Sequence, residues 1–180
     1  MSGPILVVPG LNGSGPDHWQ TWMQTLLGAD RVDQQDWSQP DIDIWSARVV
    51  EDVRARPQAV WLIAHSFGCL ASVVAAAQVG GRVAGALLVA PASPDKFGIT
   101  DRIPSAPLPF PAVLAASRND PWMKFLSAGN WAERWGARLV DLGDAGHVNV
   151  ESGHGPWPQG LALFRALQES GAMIDGSLNG

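Results

Sequence analysis

Short apolar runs alternate along the chain with longer stretches in which apolar residues return every three or four positions. That is the pattern of βαβ units wound around a parallel sheet. Six runs have the length and composition of strands: Ile5–Val8, Arg31–Gln35, Ala59–Ile63, Ala84–Val89, Ala112–Ala116 and Ala137–Asp141. The third, Ala59-Val60-Trp61-Leu62-Ile63, is apolar at every position, which predicts a strand covered on both faces. Helical periodicity between the runs predicts helices over His18–Leu27, Ile44–Arg54, Cys69–Gln78, Met123–Trp135 and Trp157–Gln168. Pro104, Pro107, Pro109 and Pro111 exclude a helix before the fifth run, and residues 171–180 lack apolar period and read as a flexible tail. No repeat or linker divides the rest, so residues 1–170 are expected to form one α/β domain.

The third run leads straight into Ala64-His65-Ser66-Phe67-Gly68 and then a helix of small residues. Ser66 therefore falls at a strand-to-helix turn, the context of a G-x-S-x-G nucleophile elbow. Ala64 stands in for the first glycine. Small residues are needed two before and two after the serine because strand and helix backbones pass close together there.

A doubly wound sheet presents its chemistry at the C-terminal ends of its strands, so partners for Ser66 are sought there. Ser117-Arg118-Asn119-Asp120-Pro121-Trp122 follows the fifth run, and Gly143-Asp144-Ala145-Gly146-His147-Val148-Asn149 follows the sixth. Ser66, Asp120, His147 is the chain order of α/β-hydrolase triads. A serine hydroxyl is a poor nucleophile by itself; an imidazole takes its proton, and a carboxylate fixes the imidazole tautomer and stabilises its charged form. Acyl transfer also needs oxyanion donors. The amide of Phe67 is one candidate, and the loop Pro9-Gly10-Leu11-Asn12-Gly13-Ser14-Gly15 offers a second, at Leu11.

Other readings of these residues stay open on the sequence. Ser66 could cap a helix, Asp120 before Pro121 could mark a turn, and Asp144 is a rival carboxylate close to His147. His154, between Gly153 and Gly155, is a rival base whose setting reads as a tight turn. His65 lies inside the elbow but is expected not to project into the site, and His18 is expected to pack or hydrogen-bond at the start of the first helix. Cys69 reads as a small buried side chain rather than a second nucleophile.

Composition removes several function classes. A net charge of −5 with no basic run gives no footprint for nucleic acid or an anionic membrane. The glycine loop is completed neither into G-x-G-x-x-G nor by the Lys-Ser/Thr pair of a P-loop, which argues against nucleotide binding. Four histidines without clustered ligand spacing argue against a metal, and no cofactor is expected. The single cysteine excludes an intramolecular disulfide; with no basic start followed by an apolar core, the expected location is the cytoplasm. No apolar stretch reaches the roughly 20 residues of a membrane span. Nine tryptophans accompany no tyrosine, and the pairs Trp19/Trp22 and Trp131/Trp135 can share helix faces, as core or pocket wall.

The chain resembles the small serine hydrolases related to retinoblastoma-binding protein nine and YdeN, within the α/β-hydrolase superfamily. The likeness spans nearly the whole chain. It rests on Pro9-Gly10, Gly13-Ser14 and His18-Trp19, on Ala64-His65-Ser66-Phe67-Gly68, on Ser117-Arg118-Asn119-Asp120-Pro121, and on Gly146-His147-Val148-Asn149 with Ser152-Gly153-His154-Gly155-Pro156-Trp157. The resemblance implies a compact α/β-hydrolase without a lid domain and places Ser66, Asp120 and His147 on the family's triad positions. It implies no substrate. An L-x-C-x-E segment associates the named relative with a protein partner, but the only cysteine here lies in Phe67-Gly68-Cys69-Leu70-Ala71, so that partner is not carried over.

The resulting expectation is a six-stranded parallel sheet of order 2-1-3-4-5-6 flanked by helices on both faces. A monomer of this fold would cleave a small-molecule acyl substrate, a carboxylic ester or relative, through an acyl-enzyme. Two alternatives stand beside it: a silent hydrolase fold used as a protein-binding module, and an acyltransferase or peptidase using the same three residues. Pro91 to Pro111 is too short and proline-rich for a helical cap, but Phe97, Ile99, Ile103, Leu108 and Phe110 could border a shallow acyl site. Such a site favours short acyl chains, about C2 to C6.

Overall fold

The computed structural model describes residues 3–176, with side chains described as far as residue 171. In chain order the elements are β1 (Ile5–Val8), α1 (Trp19–Leu27), β2 (Asp30–Arg31), α2 (Ile42–Arg54), β3 (Val60–His65), α3 (Phe67–Val79), β4 (Val83–Val89), β5 (Ala112–Ala116), α4 (Phe125–Trp135), β6 (Arg138–Asp141) and α5 (Pro158–Gly176). The strands form one six-stranded sheet of order β2-β1-β3-β4-β5-β6, parallel throughout. This is the α/β-hydrolase arrangement expected from the sequence.

Strand alternation divides the core in two. Leu62 and Ala64 of β3 face one layer, where α2, α3 and α4 bring Trp45, Val49, Leu70 and Trp131. Trp61 and Ile63 face the other, against Trp19 and Met23 of α1 and Phe164 and Leu167 of α5. Every residue of β3 is buried, as its unbroken apolar run predicts for a central parallel strand. Ser66 follows it with no intervening loop, and α3 begins at Phe67.

Several boundaries differ from the sequence expectation, each for a local reason. The second strand is expected over Arg31–Gln35, but β2 is only Asp30–Arg31, paired at Leu6↔Asp30 and Val7↔Arg31. The Val32 amide still donates to the Val7 carbonyl at 2.9 Å, but β1 then runs into Pro9, which has no N–H to continue the ladder. The second helix begins at Ile42 rather than Ile44 because the Asp41 carboxylate accepts the Asp43 and Ile44 amides and caps it. Helix α5 continues to Gly176, past its expected end at Gln168, so the expected start of the tail at residue 171 falls inside a helix. The remaining tail residues, 177–180, lie outside the described residues.

Between β4 and β5 the chain makes two 3₁₀ turns, Pro94–Phe97 and Thr100–Arg102. Of the apolar residues expected to border the site, Ile103 and Phe110 are instead buried in the core beneath, and the Leu108 amide bonds the Trp135 carbonyl at the end of α4. Trp135 Nε1 donates to the Pro104 carbonyl at 2.8 Å, and Phe97 reaches the elbow, its ring meeting that of Phe67. Among the described residues no helix is long and apolar enough to cross a membrane.

Candidate active site

Ser66 joins β3 to α3 with φ 55° and ψ −125°. A side chain other than glycine in that region stores strain of about 1–3 kcal/mol, retained where the surroundings enforce it. Here the enforcement is visible. A Cβ on Gly68 would lie 2.3 Å from the Val8 carbonyl oxygen and 2.6 Å from that of Pro9, so only glycine lets α3 start this close to the end of β1. A Cβ on Gly10 would lie 2.8 Å from the Ser66 Cβ and 3.2 Å from the Phe67 nitrogen, so the loop after β1 runs directly past the serine. Leu11 is the next residue along that loop, and Phe67 opens α3, where helix amide groups point outward. The structure thus brings Gly10, the residue before Leu11, against the Ser66–Phe67 turn.

His147 Nε2 lies 2.9 Å from Ser66 Oγ, and its Nδ1 lies 2.9 and 3.1 Å from the two Asp120 carboxylate oxygens. With the carboxylate accepting the Nδ1–H, the Nε2 lone pair is left to accept the serine hydroxyl. Both ends of the chain are sheltered: Ser66 is 7% exposed, and the Asp120 side chain 3%. Asp120 also accepts the Trp122 amide at 2.8 Å, which fixes its carboxylate within the loop after β5. The rival residues lie elsewhere. Asp144 is exposed, and His154 Nδ1 pairs with the Ser152 hydroxyl at 3.0 Å while its carbonyl accepts the Trp19 amide. His154 thus serves the turn before α5, and burial holds its pKa below the usual imidazole value.

The loop that carries His147 is anchored by side chains to which the sequence assigned no role. Asn119 Oδ1 accepts the Gly146 amide at 2.7 Å, and Ser117 Oγ accepts the Ala145 amide at 3.0 Å. His65 Nε2 bonds the His147 carbonyl at 2.8 Å, and Trp19 Nε1 donates to the Val148 carbonyl at 2.8 Å. Val148 itself has φ 48°, a conformation that a β-branched residue rarely adopts. All four anchors lie in segments that carry the family likeness, so their positions were visible in the sequence although their contacts were not.

Three histidine rings form a row. His18 and His65 centroids are 4.9 Å apart, as are those of His65 and His147. His18 caps α1, its Nδ1 accepting the Gln20 amide at 3.1 Å. Burial first, then the charges of Arg31, His147 and His154, lower its pKa to about 4. Burial likewise holds His65 well below the ordinary value, reinforced by His147 and His18. Both rings are therefore neutral near pH 7. Cys69 is fully buried with its thiol pKa raised by desolvation, which leaves it protonated and unreactive.

Aromatic rings form a connected series that ends on His147. Trp37 meets Trp45, Trp45 meets Phe67, Phe67 meets Phe97, Phe97 lies near-parallel to Trp122, and Trp122 meets His147, with centroid separations of 4.9 to 6.1 Å. Trp37 also lies against Gly13 in the loop after β1. Among the described residues no group of three histidine, cysteine or acidic side chains is placed to hold a metal ion.

A family model described as serine hydrolase matches residues 5–166. A YdeN-like hydrolase of Pectobacterium atrosepticum is 41% identical; the match covers 94% of this chain and 92% of that one, with a TM-score of 0.90. The ydeN gene product of Bacillus subtilis matches at 19% identity over 93% and 98% of the two chains, TM-score 0.75. Esterase 2 of Thermogutta terrifontis, phosphonylated by cyclosarin, matches at 17% identity over 90% and 80%, TM-score 0.64. The last two likenesses concern the fold alone. No curated protein sequence matches this chain.

Proposed function

This chain belongs to the serine hydrolase family, and on that premise we propose that it cleaves a carboxylic ester or related acyl bond through an acyl-enzyme on Ser66. The observation that carries the reading is the continuous hydrogen-bonded chain from Asp120 through His147 to the strained Ser66. In the first half-reaction Ser66 Oγ attacks the acyl carbon while its proton passes to His147 Nε2. Asp120 stabilises the imidazolium that results, and the amides of Leu11 and Phe67 hold the oxyanion. Collapse of the tetrahedral intermediate expels the alcohol, which takes the proton from His147. Water then enters and attacks the acyl carbon as it gives a proton to the same nitrogen, and collapse of the second intermediate breaks the bond to Ser66 Oγ, which takes that proton back as the acid leaves. No step calls for a cofactor or a metal.

The aromatic series supports an apolar acyl or alcohol group beside the serine, with Phe97 and Trp122 its nearest partly exposed members. Because the β4–β5 connection contributes two short 3₁₀ turns above the sheet, the proposed site is shallow.

A fluorophosphonate probe tests the reading, since a fold relative forms such an adduct with cyclosarin. Wild-type protein is expected to label stoichiometrically at Ser66, and Ser66→Ala to lose both labelling and ester turnover by a factor on the order of 10³ or more while remaining folded. Full turnover by pure Ser66→Ala overturns it, and a folded wild-type sample that neither labels nor turns over ester overturns it in favour of the binding-module alternative.

A further inference from the structure

We propose that His65 and Trp19 are positioning residues: by gripping two consecutive carbonyls of the His147 loop, they hold the imidazole in register with the nucleophile. The proposal rests on the acyl-hydrolase reading above, in which His147 moves the proton.

The loop's own backbone supplies one turn bond, from the Val148 amide to the Ala145 carbonyl at 3.2 Å, and the rest of its hold comes from outside. It runs Gly143-Asp144-Ala145-Gly146-His147-Val148, with positive φ at Gly143, Gly146 and Val148. Such a segment has many accessible conformations and little regular hydrogen bonding. Upstream of the histidine, Ser117 and Asn119 fix the Ala145 and Gly146 amides. Downstream, the His147 and Val148 carbonyls are taken by His65 Nε2 and Trp19 Nε1, each at 2.8 Å. The two donors also brace each other, their rings meeting edge to face with centroids 5.8 Å apart. Trp19 is 0% and His65 5% exposed, so water does not compete for these bonds.

His65 occupies a particular place in this arrangement, being the residue immediately before the nucleophile. Ser66 bonds the ring of His147, and His65 bonds its backbone. The path from Ser66 Oγ through the His147 ring, its carbonyl and the His65 ring back to the 65–66 peptide is a closed circuit of two residues' contacts. The separation of nucleophile and base is therefore tied directly at the end of β3, in addition to the holds from α1 and from the loop after β5. Accuracy there matters, since misplacing a reacting group by about 1 Å can cost on the order of 10² in rate.

Neutrality suits His65 to the role. Its Nε2–H serves as a donor without a positive charge 4.9 Å from the imidazolium that forms on His147 during turnover. Burial, which keeps the ring neutral, thus removes a like-charge repulsion from the transition state.

Four variants test the proposal: His65→Leu removes the donor, His65→Gln keeps an N–H near the same place, Trp19→Phe keeps an aromatic ring without its N–H, and Ser66→Ala is the control. Each is assayed for ester kinetics, for melting temperature, and for the fraction of sites titrated by a fluorophosphonate. Per titrated site, His65→Leu is expected to lower kcat about 10- to 100-fold at unchanged KM, Trp19→Phe about 3- to 10-fold, and His65→Gln less than about threefold. A purely structural role would lower the melting temperature and the titrated fraction while leaving kcat per titrated site at the wild-type value. That result, or a His65→Gln variant as slow as His65→Leu, overturns the proposal. If His65→Leu does not fold, Trp19→Phe decides alone: wild-type kcat per site refutes and a reduced one supports. Turnover surviving in Ser66→Ala would instead refute the acyl-enzyme reading, so the two failures are distinguishable.

Discussion

Acidification from pH 7 to pH 5 is expected to weaken the fold through His18. The His18 residue is 5% exposed, lies beside His65, and caps α1 by accepting the Gln20 amide at Nδ1, a bond available only to the unprotonated nitrogen. Burial, followed by Arg31, His147 and His154, holds its pKa at about 4 against 6.5 for a free imidazole. As pH falls through 6.5 the unfolded chain takes up a proton that the folded chain refuses until about pH 4. The unfolded state binds more protons across that window, so stability falls with falling pH and levels off below it. At about 1.4 kcal/mol per tenfold, the whole effect is about 3 kcal/mol, of which about 2 kcal/mol falls between pH 7 and pH 5. His65 acts in the same direction. His18→Asn separates the two, because asparagine still accepts the capping amide but does not titrate. Packing lost with the ring lowers the variant's stability equally at both pH values and cancels from the difference. Urea unfolding of both proteins at pH 7 and pH 5 is therefore expected to show wild type losing about 2 kcal/mol more than His18→Asn. Losses equal within about 0.5 kcal/mol would refute the assignment of a buried neutral His18.

Two further outcomes are expected. Asp120→Asn should lower kcat by about 10³- to 10⁴-fold by disturbing the His147 tautomer, whereas Asp144→Asn, at an exposed position, should stay within about threefold; kinetics showing the opposite ranking would move the orienting carboxylate to Asp144. Across p-nitrophenyl esters, kcat/KM should rise about fourfold per methylene and level off near C6, since each buried methylene is worth about 0.8 kcal/mol only while Phe97 and Trp122 still cover it; a rise continuing into long chains would contradict a shallow site.

Much of the site was legible because its chemistry depends on local geometry that leaves a local record. An elbow needs a buried strand, small residues two positions either side of the serine and an immediate helix, and Val60–His65, Ala64, Gly68 and α3 supply them within twenty residues of one another. The proposed acid and base, Asp120 and His147, follow strand ends, so they could be sought at fixed places once β5 and β6 were recognised. His65, Trp19, Ser117 and Asn119 were missed as anchors because their partners are backbone atoms. A carbonyl or amide looks alike at every position, and no residue type marks the one that will be gripped. The wall of the proposed acyl site was misjudged for a related reason. Ile103 and Phe110 are as apolar as Phe97, and only packing decided that the first two fill the core while the third reaches Phe67.

The sequence by itself therefore determined the layered α/β fold and the identity of the three residues brought together at Ser66, since periodicity, turn chemistry and chain order are written in residue types, while the strand order was what the family resemblance implied. Only the tertiary structure decided how short β2 would be, how far α5 would run, which aromatic ring would meet His147 and what would hold the His147 loop in place. Those outcomes depend on which atoms from distant segments arrive at the same point. Packing and hydrogen-bond geometry set that arrival, and neither is carried by any one stretch of the chain.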